Sequence, residues 1–348
     1  MLAAVPRKRR RRQGRTELGV EARFNVYAQD FRALVQEDLT QVEEFLQHCC
    51  QATGVPLIDE VWEHLQRSPG KRLRPTLLLL VARAYGEPGS RSIMAGAVVE
   101  MIHTATLIHD DVVDKATLRR GQPAVNHRWH DGIALMMGDF LYSKAFQLFT
   151  AAGLEREMEL LAETTNRMSV AEMMQFQFHA KLDMREDEYM LLIREKTAAL
   201  IAASCALGAL CGGATAVEPI LAYGNDVGLA FQITDDLLDY LGDESVVGKP
   251  VGNDLHEGKV TLPLILALHN APTAERERML RAIRSREIFD GQWGTMLEFV
   301  ATHGGIEEAR ARALLHGGRA KQALRDLPAG PERDALADAV DFITHRSS

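Results

Sequence analysis

Two groups of aspartates in the sequence share one spacing. Both occupy positions i, i+1 and i+4, the first in HTATLIHDDVVD and the second in FQITDDLLD: Asp110, Asp111 and Asp114, then Asp235, Asp236 and Asp239. Residues i and i+4 lie on the same face of a helix, so the outer carboxylates of each cluster can bind one cation. Mg²⁺ takes oxygen ligands and is commonly shared with substrate phosphates. One copy matches a solvated acidic surface equally well, but two copies predict a divalent-metal site.

Basic residues complement the acidic clusters. Arginine forks and lysine ammonium groups are the usual protein partners of phosphate. We expect one loop to carry Lys71, Arg72 and Arg74 and a second loop, in the string RRGQP, to carry Arg119 and Arg120. Lys249 and Lys259 follow the second aspartate cluster. Six carboxylates, metal ions and many cations together suit two diphosphate groups. The metal would activate one diphosphate as a leaving group, and the cations would hold the other without metal.

Long helices must position these clusters. Apolar residues recur at helical spacing, as in the segment 31–39, and strand-like alternation of β-branched residues is missing. No proline lies between Pro123 and Pro219, which suits long helices joined by short loops. Each aspartate cluster follows an apolar run, so we expect each at the end of a buried helix. The pattern predicts an all-α bundle with one domain over 26–348, after a basic and disordered tail over 1–25.

Composition excludes several classes of protein. The net charge is −8, and seven basic residues without an acid lie within residues 1–15, so the rest of the chain carries −15. Because the rest of the chain is acidic, nucleic acid is not the expected partner. As an alternative to a disordered tail, the basic segment could tether the protein to anionic lipid. The four cysteines form no CxxC pair and predict buried thiols in a reducing cytoplasm. The uncharged segment Thr197–Val217 is weakly apolar, which favours a core helix over a membrane span, and no other run approaches spanning length.

Seven short strings carry a resemblance to a known family. They are GKRLRP at 70–75, HDDVVD at 109–114, RRGQPAVN at 119–126, REKTAAL at 194–200, FQITDDLLDY at 231–240, GKPVGNDL at 248–255 and EGKVTLPL at 257–264. In this order, from about Phe31 to the C-terminus, they resemble the trans-isoprenyl diphosphate synthases, or polyprenyl synthetases, of the long-chain type. The resemblance implies antiparallel helices around a deep central cavity, a homodimer, and three Mg²⁺ ions held with the allylic diphosphate between the two aspartate clusters.

The resemblance also implies roles for the other polar residues. One set would bind isopentenyl diphosphate: Lys71, Arg74, His103 and Arg120. A second set would contact the allylic diphosphate: Arg119, Lys196, Lys249 and Lys259. Thr197 and Gln232 would lie beside the reacting carbons.

The implied reaction lengthens an allylic diphosphate. The substrate ionises to a carbocation, the isopentenyl double bond attacks the cation, and the bound diphosphate accepts the final proton. In the family, a bulky aromatic residue five positions before the first aspartate blocks the cavity of short-chain enzymes. Here that position is Ala105, beside Thr106 and one turn from Met101. We therefore expect an octaprenyl to decaprenyl product, suited to a quinone side chain, with peripheral membrane contact at product release.

Four alternatives remain. The first is a shorter-chain farnesyl or geranylgeranyl diphosphate synthase. The second is a class I terpene cyclase, although its second metal motif mixes Asn, Ser or Thr with Glu and it needs no grip for isopentenyl diphosphate. The third is a non-catalytic subunit of a heteromeric synthase, although such partners tend to lose aspartates or basic residues and none is lost here. The fourth is a phosphate-binding protein without turnover.

Overall fold

The structure is a computed structural model. The residues it describes are 31–51, 53–68, 70–86, 89–241, 252–285 and 293–346. Two sequence predictions, the basic tail over 1–25 and the role of Lys249, fall outside these residues.

Helices make up most of the described chain and confirm the all-α prediction. In chain order they are α1 (Gln36–Cys50), α2 (Pro56–Gln66), α3 (Leu73–Tyr85), α4 (Ser90–Val113), α5 (Val125–Trp129), α6 (Asp131–Ala151), α7 (Glu155–Phe178), α8 (Glu186–Ile193), α9 (Ala199–Cys211), α10 (Glu218–Leu241), α11 (Asn253–His256), α12 (Leu262–Asn270), α13 (Thr273–Arg284), α14 (Trp293–Thr302), α15 (Gly305–Ala323) and α16 (Pro331–His345). A π-helical turn (Arg194–Ala198) joins α8 to α9, and a 3₁₀ turn (Leu324–Asp326) follows α15.

A small hairpin is the exception to helix among the described residues. Strands β1 (Leu118–Arg119) and β2 (Gln122–Pro123) pair antiparallel. The two residues between them, Arg120 and Gly121, have φ values of 51° and 75°. Such left-handed residues are typical of two-residue hairpin turns, so the basic loop predicted from RRGQP is a rigid turn.

The buried apolar side chains form two clusters. The first joins α1, α3, α4, α6, α9 and the N-terminal half of α10. The second joins α8, the C-terminal half of α10, α12, α14 and α15. The first aspartate cluster ends a helix of the first core, and the second aspartate cluster stands on the half of α10 that belongs to the second core.

Helix α9 is buried from Ala199 to Leu210 and packs against α3, α4, α7 and α10. This helix lies within the uncharged segment 197–217, and the prediction that the segment forms a core helix and not a membrane span is confirmed. Among the described helices, α4 is the one with the length and hydropathy of a membrane span, but 67% of its most apolar 18-residue window is buried inside the protein. The expectation that no other segment reaches spanning length was therefore wrong, because Glu100 interrupts the uncharged run of α4 without making it polar.

Candidate active site

A cavity of about 460 Å³ opens where the two cores meet. Its walls come from the end of α4, the end of α7, the π-helical turn, α10 and the segment after α11. Both aspartate clusters and several of the predicted cations reach it: Asp110, Asp114, Arg119, Lys196, Thr197, Gln232, Asp236 and Lys259. The structure therefore brings together residues that lie up to 149 positions apart in the sequence.

Close packing of α9 against α10 positions one wall of the cavity. A β-carbon added to Gly228 would lie 2.4 Å from Cα of Ala198, and one added to Gly224 would lie 2.6 Å from Cα of Ala202. Only glycine allows the two helices this approach. The π-helical turn is consequently held beside α10, where Oγ1 of Thr197 donates a hydrogen bond to Oε1 of Gln232 at 2.8 Å. Single π turns occur frequently at functional sites, and this one carries Lys196 and Thr197.

In the first aspartate cluster, the middle carboxylate is held by a cation. Nε of Arg119 lies 2.7 and 2.8 Å from the two carboxylate oxygens of Asp111, which is 3% exposed. The outer Asp114 accepts a hydrogen bond from Nζ of Lys259 at 2.9 Å, and Lys259 also pairs with Glu257 at 2.7 Å. These contacts join the first cluster to the predicted cations on the β-hairpin and after α11.

Asp110 experiences a different electrostatic environment. Burial raises the pKa of its carboxyl to about 6; Lys196 opposes this shift, while the neighbouring carboxylates Glu172 and Asp114 add to it. Lys196 itself pairs with Glu172 at 2.6 Å and donates to Oε1 of Gln175 at 2.9 Å. The side chains on α7 therefore hold this lysine at the cavity wall.

In the second cluster, neutral donors hold the middle carboxylate. The phenol of Tyr189 and the amide of Gln232 donate to the two oxygens of Asp236, each at 2.7 Å. Burial, with Asp254 as the next cause, raises the pKa of Asp236 well above its ordinary range. Burial also raises the pKa of Asp254, to about 7, and Asp239 adds to that shift.

The outer aspartates of this cluster face other partners. Nη2 of Arg346 donates to Oδ1 of Asp235 at 2.8 Å. Asp239 accepts hydrogen bonds from the backbone N–H groups of Asn253 and Asp254 at 3.1 and 3.2 Å. The start of α11 is thereby fixed against the end of α10.

A separate cationic patch contains the residues assigned to isopentenyl diphosphate. Nη1 of Arg74 donates to Nε2 of His103 at 3.1 Å, and Nε of Arg74 is buried without a hydrogen-bond partner. Burial lowers the pKa of Arg74 to about 10, and burial together with Arg74 holds the pKa of His103 well below its ordinary range, so that this imidazole is neutral. The guanidinium of Arg120 packs on Gly70, where an added β-carbon would lie 2.6 Å from it. The loop carrying Lys71 and the β-hairpin thus meet.

One predicted cation has a structural role instead. Arg72 pairs with Glu43 at 2.5 Å and with the buried Glu100 at 2.7 Å. Arg72 has a left-handed backbone, with a φ of 51°, and α3 begins at the next residue. Arg74 therefore lies in the first turn of a helix, whereas the sequence had predicted that it lies on a loop. The ion pairs of Arg72 fix that turn and the direction of its neighbours.

The residues proposed to set product length lie on α4 before the first cluster. Ala105 and Met101 are fully buried, and the Thr106 hydroxyl donates to the backbone carbonyl of His103 at 2.7 Å. On this helix the cavity lining reaches Leu107 and does not include these three residues. Their role in chain length therefore stays a prediction.

The two aspartate clusters supply carboxylate oxygens, the ligands that Mg²⁺ takes. Within the described ranges, no group of three Asp, Glu, His or Cys side chains already converges as a metal site. Lys259 and Arg346 pair with one outer carboxylate in each cluster. Carboxylates that repel one another, as around Asp110, are stabilised by a hard cation, so the residues fit the ion.

Several site residues were missed in the sequence. Tyr189, Glu172 and Arg346 belong to no recognisable acidic or basic cluster, and their partners are far away in the chain. Asp254 stood inside the string GKPVGNDL, so its position could have been found there. The i, i+1, i+4 spacing identified carboxylates but could not identify the groups that hold them.

An all-α bundle with two aspartate clusters and cationic groups around one cavity defines the isoprenoid synthase class of enzymes. This chain belongs to the polyprenyl synthetase family, whose sequence model matches residues 55–293. It is therefore a prenyltransferase, and members of the family depend on divalent metal ions for catalysis.

Individual relatives and structures agree with the family. An octaprenyl diphosphate synthase of Escherichia coli is 38% identical over 296 residues, which cover 84% of this chain and 91% of the relative. A short chain isoprenyl diphosphate synthase of Methanothermobacter thermautotrophicus is 39% identical over 291 residues, covering 82% and 89%. Other relatives are named heptaprenyl and nonaprenyl synthases. A polyprenyl synthase from Caulobacter crescentus, solved with calcium and isoprenyl diphosphate, has a TM-score of 0.87 and 35% identity, and the match covers 92% of this chain and 98% of that one.

Proposed function

We propose that this chain condenses isopentenyl diphosphate with an allylic diphosphate and builds a long-chain all-trans polyprenyl diphosphate. The observation that carries the proposal is the division of charge around the cavity. Acidic clusters with Lys196 and Lys259 surround one site, and a separate patch of cations around Arg74 lies outside the aspartates. Two diphosphates bound in these two ways would place a leaving group and a nucleophile side by side.

The cavity residues have distinct tasks in this reaction. Lys196, Lys259 and Arg119 supply positive charge around the departing allylic diphosphate, where negative charge develops in the transition state. Metal bound at the aspartates would supply further charge stabilisation to that group. The hydrogen-bonded pair of Thr197 and Gln232 presents polar atoms beside the reacting carbons. We assign the final proton to the departed diphosphate.

We assign three Mg²⁺ ions to the two aspartate clusters, as the family resemblance implies. Repulsion among the carboxylates near Asp110 supports a divalent cation there. The calcium in the Caulobacter relative's complex supports the same chemistry. Lys259 and Arg346 would then exchange their carboxylate partners for diphosphate or solvent.

The long product is supported by the names of the relatives and by one small side chain. Heptaprenyl, octaprenyl and nonaprenyl synthases are among the relatives, although the short chain synthase matches at similar identity. Ala105 leaves the position five residues before the first aspartate without an aromatic ring. Together these favour a long product over the farnesyl or geranylgeranyl alternative.

Exposed apolar side chains support a homodimer. Met136 on α6 is 64% exposed, and Met173 on α7 is 67% exposed. These helices pack against each other, and exposed apolar patches of this kind mark protein interfaces. The heptaprenyl relative is named as component 2 of its enzyme, so an unlike subunit is the alternative partner. Light scattering of the purified chain would separate a homodimer from a monomer that awaits a partner.

We propose that the enzyme works in the cytoplasm as one domain over 26–348 and contacts a membrane peripherally when it releases product. The four cysteines support a reducing compartment, since Cys49, Cys50, Cys205 and Cys211 are all free thiols. Fractionation of cells, with and without high salt, would distinguish a soluble enzyme from one held at the membrane.

The decisive experiment is an elongation assay. Purified protein is incubated with labelled isopentenyl diphosphate, an allylic primer and Mg²⁺, and the products are dephosphorylated and their masses measured. Linear products of about eight to ten isoprene units are expected, and EDTA should abolish them. Cyclic hydrocarbon or no product would contradict the proposed function, and a stop at farnesyl or geranylgeranyl length would contradict the long-chain part alone.

A further inference from the structure

The two ends of the described chain meet beside Lys71. The rings of Phe31 and Phe342 pack at a centroid distance of 6.0 Å, and Phe31 is 1% exposed. Arg32 follows the first ring in sequence, and Arg346 lies four residues after the second. This aromatic contact brings one arginine from each end of the chain to the same region.

The guanidinium of Arg32 is only partly used. Its Nη2 donates a hydrogen bond to the backbone carbonyl of Lys71. Its Nε is buried and has no hydrogen-bond partner. A buried N–H donor without an acceptor is costly, so this group is suited to receive one from a ligand.

Arg346 is in the same condition. Its guanidinium lies over the ring of Phe231 at 4.2 Å, and its side chain is 9% exposed. Nη2 donates to the backbone carbonyl of Phe231 at 3.2 Å and to Asp235 at 2.8 Å. Nε is again buried without a partner.

The charge around these groups is unbalanced. Burial lowers the pKa of Lys71. The positive charges of Arg346 and Arg32 lower this pKa further, whereas the carboxylate of Asp235 raises it. Three cations therefore share a neighbourhood with Asp235, and Asp236 also acts on the Arg346 guanidinium and raises its pKa. An anion with several oxygen acceptors would satisfy both the surplus charge and the two unused N–H donors.

We propose that Arg32 and Arg346 bind the diphosphate of isopentenyl diphosphate together with Lys71, so that both ends of the chain complete this subsite. The inference rests on the proposed function, which assigns Lys71 to that substrate. Neither arginine lies in the motif strings, and their convergence depends on the contact between Phe31 and Phe342. The bound diphosphate would take the guanidinium of Arg346 as a partner in addition to, or in place of, Asp235.

Steady-state kinetics of Arg32→Gln and Arg346→Gln test the inference. Each should raise the KM for isopentenyl diphosphate by about tenfold or more, the effect of losing one hydrogen bond to a charged group. The KM for the allylic primer should change by less than about twofold. Arg346→Lys keeps the charge without the planar fork and should fall between wild type and Arg346→Gln. The matched control is Arg319→Gln, at an exposed position of α15, which should leave both KM values unchanged.

Calorimetric titration with isopentenyl diphosphate, without metal, measures the subsite directly in folded variants. An unchanged affinity in both glutamine variants would overturn the inference. A changed Mg²⁺ requirement with an unchanged KM for isopentenyl diphosphate would assign Arg346 to Asp235 alone and would also overturn it. Failure of the proposed function has a different signature, because wild type would then make no elongated product in the assay.

Discussion

The two aspartate clusters have one spacing and two kinds of surroundings. In the first, Asp111 is held by the guanidinium of Arg119, with its closest contact at 2.6 Å. In the second, Asp236 is held by the neutral donors Tyr189 and Gln232, both at 2.7 Å. A cation favours the ionised form of a carboxyl group, whereas burial beside Asp254 raises the pKa of Asp236 well above its ordinary range.

In spite of this difference, the middle carboxylate of each cluster is held by protein side chains. Each middle carboxylate already has both oxygens engaged by protein donors, so it positions its neighbours on the helix and in the cavity wall. Two of the outer carboxylates face side chains that can leave, Lys259 at Asp114 and Arg346 at Asp235. The outer Asp239 is instead held by backbone N–H groups at the start of α11. The positions within one cluster therefore have different surroundings, and the outer positions are those we expect to govern metal binding.

The largest expected effect comes from the outer positions. Asp110→Asn or Asp235→Asn should each lower kcat by about 10²–10³ or more, because charge stabilisation at the leaving group is lost. Turnover is measured at saturating Mg²⁺ with both substrates in excess. The exposed Asp183→Asn is the matched control and should behave as wild type. Near-normal turnover in both site variants would remove the metal role from these positions.

The division between the two diphosphates predicts the next effect. Arg74→Ala should raise the KM for isopentenyl diphosphate about tenfold or more, because a buried charged donor is lost. Lys196→Ala should instead slow ionisation of the allylic substrate, measured as solvolysis without isopentenyl diphosphate. If Arg74→Ala changed only the allylic KM, the assignment of the two sites would be reversed.

Tyr189→Phe tests whether neutral donors matter at the second cluster. The variant keeps the ring and removes one hydrogen bond to Asp236. Loss of a hydrogen bond that supports a metal site typically costs about tenfold in metal affinity or activity. Metal affinity is measured by titration with Mn²⁺. Tyr223→Phe also loses one buried hydrogen bond, to the carbonyl of Leu336, and should leave metal affinity unchanged. Equal metal affinity in the two variants would make the Tyr189 contact purely structural.

Ala105→Tyr tests whether the helix of the first cluster also limits the product. The ring should fill space near the growing chain and shorten the product to about three or four isoprene units without stopping the first condensation. Overpacking a fully buried site should cost about 1–3 kcal/mol of stability. Chromatography of dephosphorylated products gives the length, and Ala105→Leu should give an intermediate one. An unchanged product from the tyrosine variant would show that Ala105 does not face the chain.

The smallest effect concerns the stability of the metal-free protein. Burial raises the pKa of Asp110 from 3.8 to about 6, so between these values the folded state holds a proton that the unfolded chain releases. Stability from this group is therefore fully present at low pH and decreases as pH rises towards 6. Asp110→Asn lacks this loss and should melt a few degrees above wild type at pH 7.5 in EDTA, and at the same temperature near pH 4. Calorimetry showing a lower Tm for the variant at pH 7.5 would contradict the shifted pKa.

Part of the site could be predicted from the sequence, because the spacing of residues within one helix determines which side chains share a face. The spacing of Asp110, Asp111 and Asp114 predicted their helix and their shared face, and the glycine and proline after Arg120 predicted a loop, which the structure shows to be a hairpin turn. The role of Arg72 could not be read in the same way. Its neighbours Lys71 and Arg74 made it resemble a third phosphate ligand, while its partners Glu43 and Glu100 stand on other helices.

By itself, the sequence determined the all-α class, the two carboxylate clusters and the family, because helical periodicity and motif order are properties of neighbouring residues. Only the tertiary structure decided which groups hold each carboxylate. Tyr189 and Asp236 are 47 residues apart, and Arg346 and Asp235 are 111 apart. The first of these pairs meets beside the closely packed helices α9 and α10, and the second depends on the contact between the two ends of the chain. Contacts of that range follow from how helices pack, and a spacing rule within one helix contains no information about them.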